Sequence, residues 1–367
     1  MNAPVMKPWI AAIDAYVPGK ATAGKSGRII KLSSNENPLG ASPKAVAAMA
    51  AVAGQAHRYP DGASNDLREA IAAQHGLEFD RVVCGTGSDE ILQLLATAYA
   101  GRGDEVLYVR HGFMVYPIAA MRAGAVPVAA PDSDYAADID MLLGCVTPAT
   151  RLIYLANPNN PTGTLISRAD VERLHAGLRP DVLLVLDAAY AEYIDDPAYE
   201  DGIRLARDRA NVITTRTFSK IYGLAAERIG WAYGPPSVIA AINKIRGPFN
   251  VTSAGSAGAI AALADQSWVA HCRAENVRLR DWLNIEIGKL GNAGLRAVPS
   301  AANFVLITFP DTGATAERAY AFLTAEGILT RWLPNQGLGN ALRISIGTED
   351  ETRAVADALR CFVEQSG

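Results

Sequence analysis

From about residue 40 to 235 the chain alternates short β-branched or leucine-rich runs with amphipathic stretches of helical period. Ser42-Pro43 opens a helix, serine as N-cap and proline in the first turn, that runs through the alanine-rich 44–53 and closes at Gly54. A second helix starts near Ser64, keeps Leu67, Ala70 and Ile71 on one face, and stops before Gly76. Strands are expected at 81–84, 105–109, 126–129, 151–156, 182–187 and 211–215. The run from Val182 to Asp187 does not alternate, as befits a strand covered on both faces. Strands separated by helices of ten or more residues imply right-handed parallel crossovers.

Past residue 245 the pattern changes. A long helix is expected over 267–290, then short strands near 303–309, 328–332 and 341–346, with helices near 315–326 and 348–364. The expected fold is therefore α/β. A large domain, 40–245, has a mostly parallel central sheet flanked by helices. A smaller α+β domain combines 1–39, the N-terminal arm, with 246–367. The 367-residue length accords with two domains at roughly 150 residues each, and no internal repeat is visible.

Composition narrows the function classes. Half the residues are hydrophobic (50%) and 20% are charged, which excludes global disorder. Lys+Arg 34 against Asp+Glu 38 gives −4, with no basic stripe of the kind a nucleic-acid reader carries. Cys84, Cys145, Cys272 and Cys361 lie far apart, without metal-ligand spacing, and read as reduced thiols; no metal is expected. Neither a signal peptide nor a membrane span is expected, so the expected location is cytoplasmic.

Ligands of open α/β sheets bind at the carboxyl ends of strands. Three ends carry polar interruptions. Gly85-Thr86-Gly87-Ser88-Asp89 is a strand, a glycine turn and a helix start, able to hold a phosphate or simply to cap a helix. Asn157-Pro158-Asn159-Asn160-Pro161-Thr162-Gly163 is a rigid polar loop, a site or plain turn chemistry. Asp187 ends a buried strand with Tyr190 three residues on, either as an N-cap or as a carboxylate aimed at a cationic ring or metal. A fourth segment, Thr217-Phe218-Ser219-Lys220-Ile221-Tyr222-Gly223 with Arg228 eight residues after Lys220, surrounds a lysine with apolar neighbours. Desolvation to a pKa of ~7 would cost ~4–5 kcal/mol and leave the amine nucleophilic; a snorkelling surface lysine is the bland alternative. A phosphate site, a buried carboxylate and an amine nucleophile, in chain order, fit pyridoxal phosphate.

With these residues in place the chain resembles the fold-type-I aminotransferases, and within them the histidinol-phosphate aminotransferase group. The likeness rests on Lys31-Leu32-Ser33-Ser34-Asn35-Glu36-Asn37-Pro38, Arg58-Tyr59-Pro60-Asp61-Gly62, Gly87-Ser88-Asp89-Glu90, the Asn157–Gly163 loop, Asp187-Ala188-Ala189-Tyr190, Thr217–Lys220 and Leu342-Arg343-Ile344-Ser345-Ile346-Gly347. It spans about 13–360. The resemblance implies that Lys220 carries pyridoxal 5'-phosphate as a Schiff base and moves the substrate proton. Asp187 would protonate the ring nitrogen, Tyr190 and Asn157 would hydrogen-bond the phenolic oxygen, and Phe113 would stack on the ring. Ser88, Asp89, Thr217, Ser219 and Arg228 would form the phosphate cup, with Tyr59 reaching in from a neighbouring subunit of a homodimer with shared sites. Arg343 would fork onto the substrate's anionic group, and Arg331, Tyr16 and Asn35 would complete the substrate end.

Three positions depart from the family pattern. Glu227 stands beside Arg228, where it should face solvent or another cation. His111 precedes Phe113 as a loop residue more than a catalyst. Trp332 follows Arg331, either selecting an aromatic or imidazole side chain or serving the core. The expected activity is ping-pong transfer between histidinol phosphate and 2-oxoglutarate. An aromatic or prephenate aminotransferase, a decarboxylase or lyase, and a non-catalytic pyridoxal-phosphate-binding protein are the alternatives on the same scaffold.

Overall fold

The computed structural model describes residues 3–15, 19 and 29–366. Its large sheet has seven strands: β1 Val82–Thr86, β2 Glu105–Val109, β3 Val126–Ala130, β4 Thr150–Ala156, β5 Leu183–Asp187, β6 Val212–Thr217 and β7 Ile229–Tyr233. Their spatial order is β1-β7-β6-β5-β4-β2-β3. Every pairing is parallel except those of β7, which runs antiparallel to both β1 and β6.

The six expected strands are present, with ends displaced by at most two residues. Along β4 and β5, Ile153, Leu155, Leu184 and Leu186 enter one apolar cluster, while Leu152, Tyr154, Leu183 and Val185 enter the other. Both faces are thus covered, which is why neither run alternates. The helices Pro43–Val52, capped by Ser42 Oγ accepting from the Ala45 N–H, and Asn65–His75, closed by Gly76, also lie where the pattern put them.

The smaller sheet is antiparallel, in the order β8-β9-β11-β10, from β8 Arg296–Ala297, β9 Phe304–Thr308, β10 Arg331–Leu333 and β11 Leu338–Ser345. Ile30–Lys31 pairs in parallel with Ile328–Leu329, and Leu32 enters the same core as Val305, Ile344 and Leu359. The N-terminal segment thereby arrives over the large sheet alongside the end of β11.

One expectation is corrected. Residues 251–272, read as part of the smaller unit, pack with the large one: Val251, Ala259, Leu263, Val269 and Cys272 join the large-sheet core. The helix Ser253–Ala264 lies against Pro43–Val52 and Asn65–His75. It is built almost wholly from Gly, Ala and Ser, so close approach replaces large side chains; a Cβ on Gly258 would stand 2.7 Å from Met49 Cγ. The long helix Gln266–Gly288 then passes from this core to the smaller one, burying Val269 and Cys272 at one end and Leu283 and Ile287 at the other.

Candidate active site

A cavity of about 210 Å³ opens at the carboxyl ends of β1, β5 and β6, closed over by the N-terminal segment and β11. Asp187, the last residue of β5, is buried at its floor. Its Oδ2 accepts a hydrogen bond from Tyr116 (2.8 Å) and its Oδ1 one from Thr215 (3.0 Å). Neither oxygen accepts from a following backbone N–H, so Asp187 caps no helix. Burial raises its pKa to about 6 against the opposing pull of those two hydroxyls.

Lys220 follows β6 and faces the same cavity. Burial, reinforced by the charge of Arg343, lowers its amine to about 8. Among the described residues Nζ makes no hydrogen bond or ion pair; its partner is the Tyr190 ring, 5.8 Å to the centroid. A desolvated amine without a polar partner, opposite a buried carboxylate, suits a group bearing a carbonyl and a cationic nitrogen.

The end of the cavity where a phosphate is expected is assembled from three segments. The helix Gly87–Tyr99 starts directly after β1, with no side-chain cap from Thr86, and Ser88 and Asp89 in its first turn line the cavity. Arg228 Nη1 donates to Ser219 Oγ (3.3 Å), and Nη2 lies 3.5 Å from Asp89 Oδ2. A side chain at Gly87 (φ +75°) would meet the Arg228 guanidinium at 2.7 Å, so glycine is what lets the arginine in. Thr217 also lines the cavity, and its Oγ1 accepts from the Ser219 N–H (3.1 Å). An open helix N-terminus, the hydroxyls of Ser88, Thr217 and Ser219 and the Arg228 guanidinium form an anion cup. Glu227 is half-buried and outside the lining.

At the opposite end Arg343 is buried, donating from Nη1 to Asn160 Oδ1 (2.6 Å) and from Nη2 to the Ser33 carbonyl (2.8 Å). Phe113 lines the cavity, its ring edge-on to Tyr116 at 5.8 Å. Arg331 does not reach the main cavity; it lines an adjoining cleft of about 20 Å³ with Phe113, Asn160 and Arg343. Asn35 is buried and bonds Tyr190 and Ser345. Tyr16 lies outside the described residues.

Asn157 is displaced from its expected place. Its amide pairs with the Ile166 backbone, Oδ1 accepting at 3.0 Å and Nδ2 donating at 3.3 Å, and it does not line the cavity. Asn160, in the same loop, does. Tyr59 is 83% exposed and stacks on Phe249 at 4.7 Å, away from its own chain's cavity. His111 is a loop residue paired with Asp132 (Nδ1 to Oδ2, 2.7 Å). Trp332 donates to the Gly339 carbonyl (2.9 Å), packs on Tyr320 at the smaller core and lines neither cavity. Asn160 and Ser345 stand in motifs quoted from the sequence without a role of their own, while Tyr116 and Thr215 carry no sequence signal; a Tyr in a helix or a Thr in a strand has none until the fold sets it against a carboxylate.

The chain matches the family model described as Aminotransferase class I and II over residues 27–359. It is 58% identical over 358 residues to a histidinol-phosphate aminotransferase of Sphingopyxis alaskensis, covering 96% of each chain. It is 52% identical to one of Zymomonas mobilis subsp. mobilis, covering 99% of each. Among solved structures it is similar to histidinol-phosphate aminotransferase from Sinorhizobium meliloti in complex with pyridoxal-5'-phosphate, with a TM-score of 0.89 at 30% identity, over 99% of this chain and 98% of that one.

Proposed function

The chain belongs to the class I and II aminotransferases, and from that premise we propose that it transfers the amino group of histidinol phosphate to 2-oxoglutarate, with pyridoxal 5'-phosphate as cofactor. The observation that carries the reading is the meeting of Asp187, Lys220, the Arg228 cup and Arg343 in one cavity. Identities of 52% and 58% to proteins of that name support the substrate.

When bound, pyridoxal phosphate supplies a carbonyl that takes up the amino group and a ring that draws electrons from the carbon losing its proton. Lys220 holds that carbonyl at Nζ. Released when the substrate's amine takes its place on that carbonyl, the Lys220 amine, with a pKa near 8, would be partly neutral at physiological pH and able to lift and return the proton of the substrate's amine-bearing carbon. Asp187 keeps a proton on the ring nitrogen; facing a cation, its carboxyl falls back below the value that burial imposes. Tyr190 hydrogen-bonds the phenolic oxygen, with Asn160 in the part first given to Asn157. Phe113 covers the ring, while Ser88, Asp89, Thr217, Ser219 and Arg228 hold the phosphate. Arg343 binds the substrate's anionic end bidentately, with Arg331 beside it. Tyr59, exposed on its own chain, serves the phosphate cup of a partner in a homodimer. A cytoplasmic location is part of the proposal; among the described residues no helix is long and apolar enough to cross a membrane.

The test compares kcat/KM for histidinol phosphate, phenylalanine and tyrosine in one assay. Histidinol phosphate should lead by at least about tenfold, the discrimination that one charged contact supplies; a preference for phenylalanine would make the chain an aromatic aminotransferase. Borohydride reduction should trap the cofactor on Lys220, and a label on another lysine would overturn that role.

A further inference from the structure

The residues behind Tyr190 form a chain of hydrogen bonds with a fixed direction. Ser345, the last residue of β11, is buried, and its Oγ accepts from the Asn35 backbone N–H at 2.8 Å. A hydroxyl has one proton to give, and it goes to Asn35 Oδ1 at 3.0 Å. That choice decides which end of the Asn35 amide faces Ser345. Nδ2 is left to donate to the Tyr190 oxygen, also at 3.0 Å. Tyr190 is therefore an acceptor toward Asn35, so its own proton points elsewhere.

Asn35 is held for this task. Its backbone is left-handed, φ 56°, a conformation asparagine tolerates better than most residues. Asn303 Nδ2 clamps its carbonyl at 3.0 Å. The Tyr190 ring packs edge-on against Phe304 at 5.4 Å, and Phe304 is the cross-strand partner of Ser345. The charged groups around this corner are Lys220, Arg343 and Asp187, with Glu36, Asp89 and Arg228 farther round; none of them bonds the Asn35 amide. Arg343 stands two residues before Ser345 on the same face of β11.

We propose that Ser345 and Asn35 are positioning residues, a relay that aims the Tyr190 hydroxyl proton into the cavity at the phenolic oxygen of the cofactor. The proposal rests on the cofactor reading above. It turns Asn35 from a substrate contact into a support of Tyr190, and it ties that support to the strand that carries the substrate-binding Arg343. A proton aimed at the phenolic oxygen favours the unprotonated form of the Lys220 linkage. Losing the aim should make that linkage hold its proton to higher pH.

The test is a spectroscopic pH titration of the holoenzyme, following the colour change of the lysine-linked cofactor. Y190F should raise the midpoint. S345A should raise it in the same direction by about half a unit to one unit, a three- to tenfold change in proton affinity. S345T, which keeps the hydroxyl, should restore the wild-type midpoint. The double variant S345A/Y190F should match Y190F alone, because the relay acts only through that hydroxyl. An unmoved midpoint in S345A, or a shift that adds in full to that of Y190F, overturns the relay. If S345A does not fold, S345C, similar in size but a weak donor, is titrated under the same criteria. A wild-type holoenzyme without a lysine-linked chromophore would instead overturn the cofactor reading.

Discussion

Asp187 has both oxygens engaged by hydroxyls of its own chain, yet burial still holds its pKa near 6. The sign of its contribution follows. The carboxyl is raised from 3.8, so the cofactor-free chain loses stability as pH rises from about 4 through about 6, by about 3 kcal/mol at 1.36 per unit. An amide carries no such penalty. Cofactor-free D187N should therefore match or exceed the wild type in urea unfolding at pH 8, the difference closing below pH ~4. Its turnover should meanwhile fall at least about 100-fold, the scale of a lost charge at a reacting group. Equal losses of stability and turnover would return Asp187 to a structural role.

Strand β6 serves two faces at once. Thr215 bonds Asp187 and Thr217 lines the cavity, while Arg216 between them is buried on the opposite side. Its Nη1 donates to Glu192 at 2.9 Å, and Nη2 bonds Asp201. R216M should destabilise the fold by about 3–5 kcal/mol, because Glu192 is left buried without its cation. R216M/E192M should recover part of that loss in urea titration, and a single variant within ~1 kcal/mol of wild type would make the pair dispensable. At this scale the end of β5 was legible, because Asp187 closes an apolar run where a buried sheet should have none, and Lys220, three residues past β6, was legible from Phe218, Ile221 and Tyr222 around it. β7 was not, since Ile229–Tyr233 returns from β6 without a crossover helix and so breaks the strand–helix rhythm. Asn157 and Asn160 share one motif and one side-chain chemistry; only the path of the loop decides that the first locks Ile166 and the second meets Arg343. Composition hid the helix Ser253–Ala264 for the opposite reason, since glycine and alanine pack closely without a periodic apolar stripe.

Over the whole molecule, the large sheet holds Asp187 and Lys220 while the two chain ends bring Asn35 and Arg343 over them. Tyr59 is left outside this enclosure. The ledge that carries it is tied to the phosphate cup: Arg246 donates to the Gly62 carbonyl (2.6 Å) and to Asn250 Oδ1 (3.0 Å). Asn250 in turn donates to Glu90 (2.7 Å), which also accepts from the Thr86 N–H at the head of the cup helix (2.6 Å). In the proposed homodimer this exposed ring on an anchored ledge is the group offered to the second copy of the chain. Subunit mixing tests this directly. Y59A and K220A proteins, each impaired alone, are co-expressed with different tags. Hybrid dimers then contain one site that combines an intact Lys220 with an intact partner Tyr59. Activity should exceed the sum of the parents and approach about a quarter of wild type, since random pairing makes half the dimers hybrid with one good site of two. No gain over the parents would mean that each chain completes its own cup, and Tyr59 would be a surface residue only.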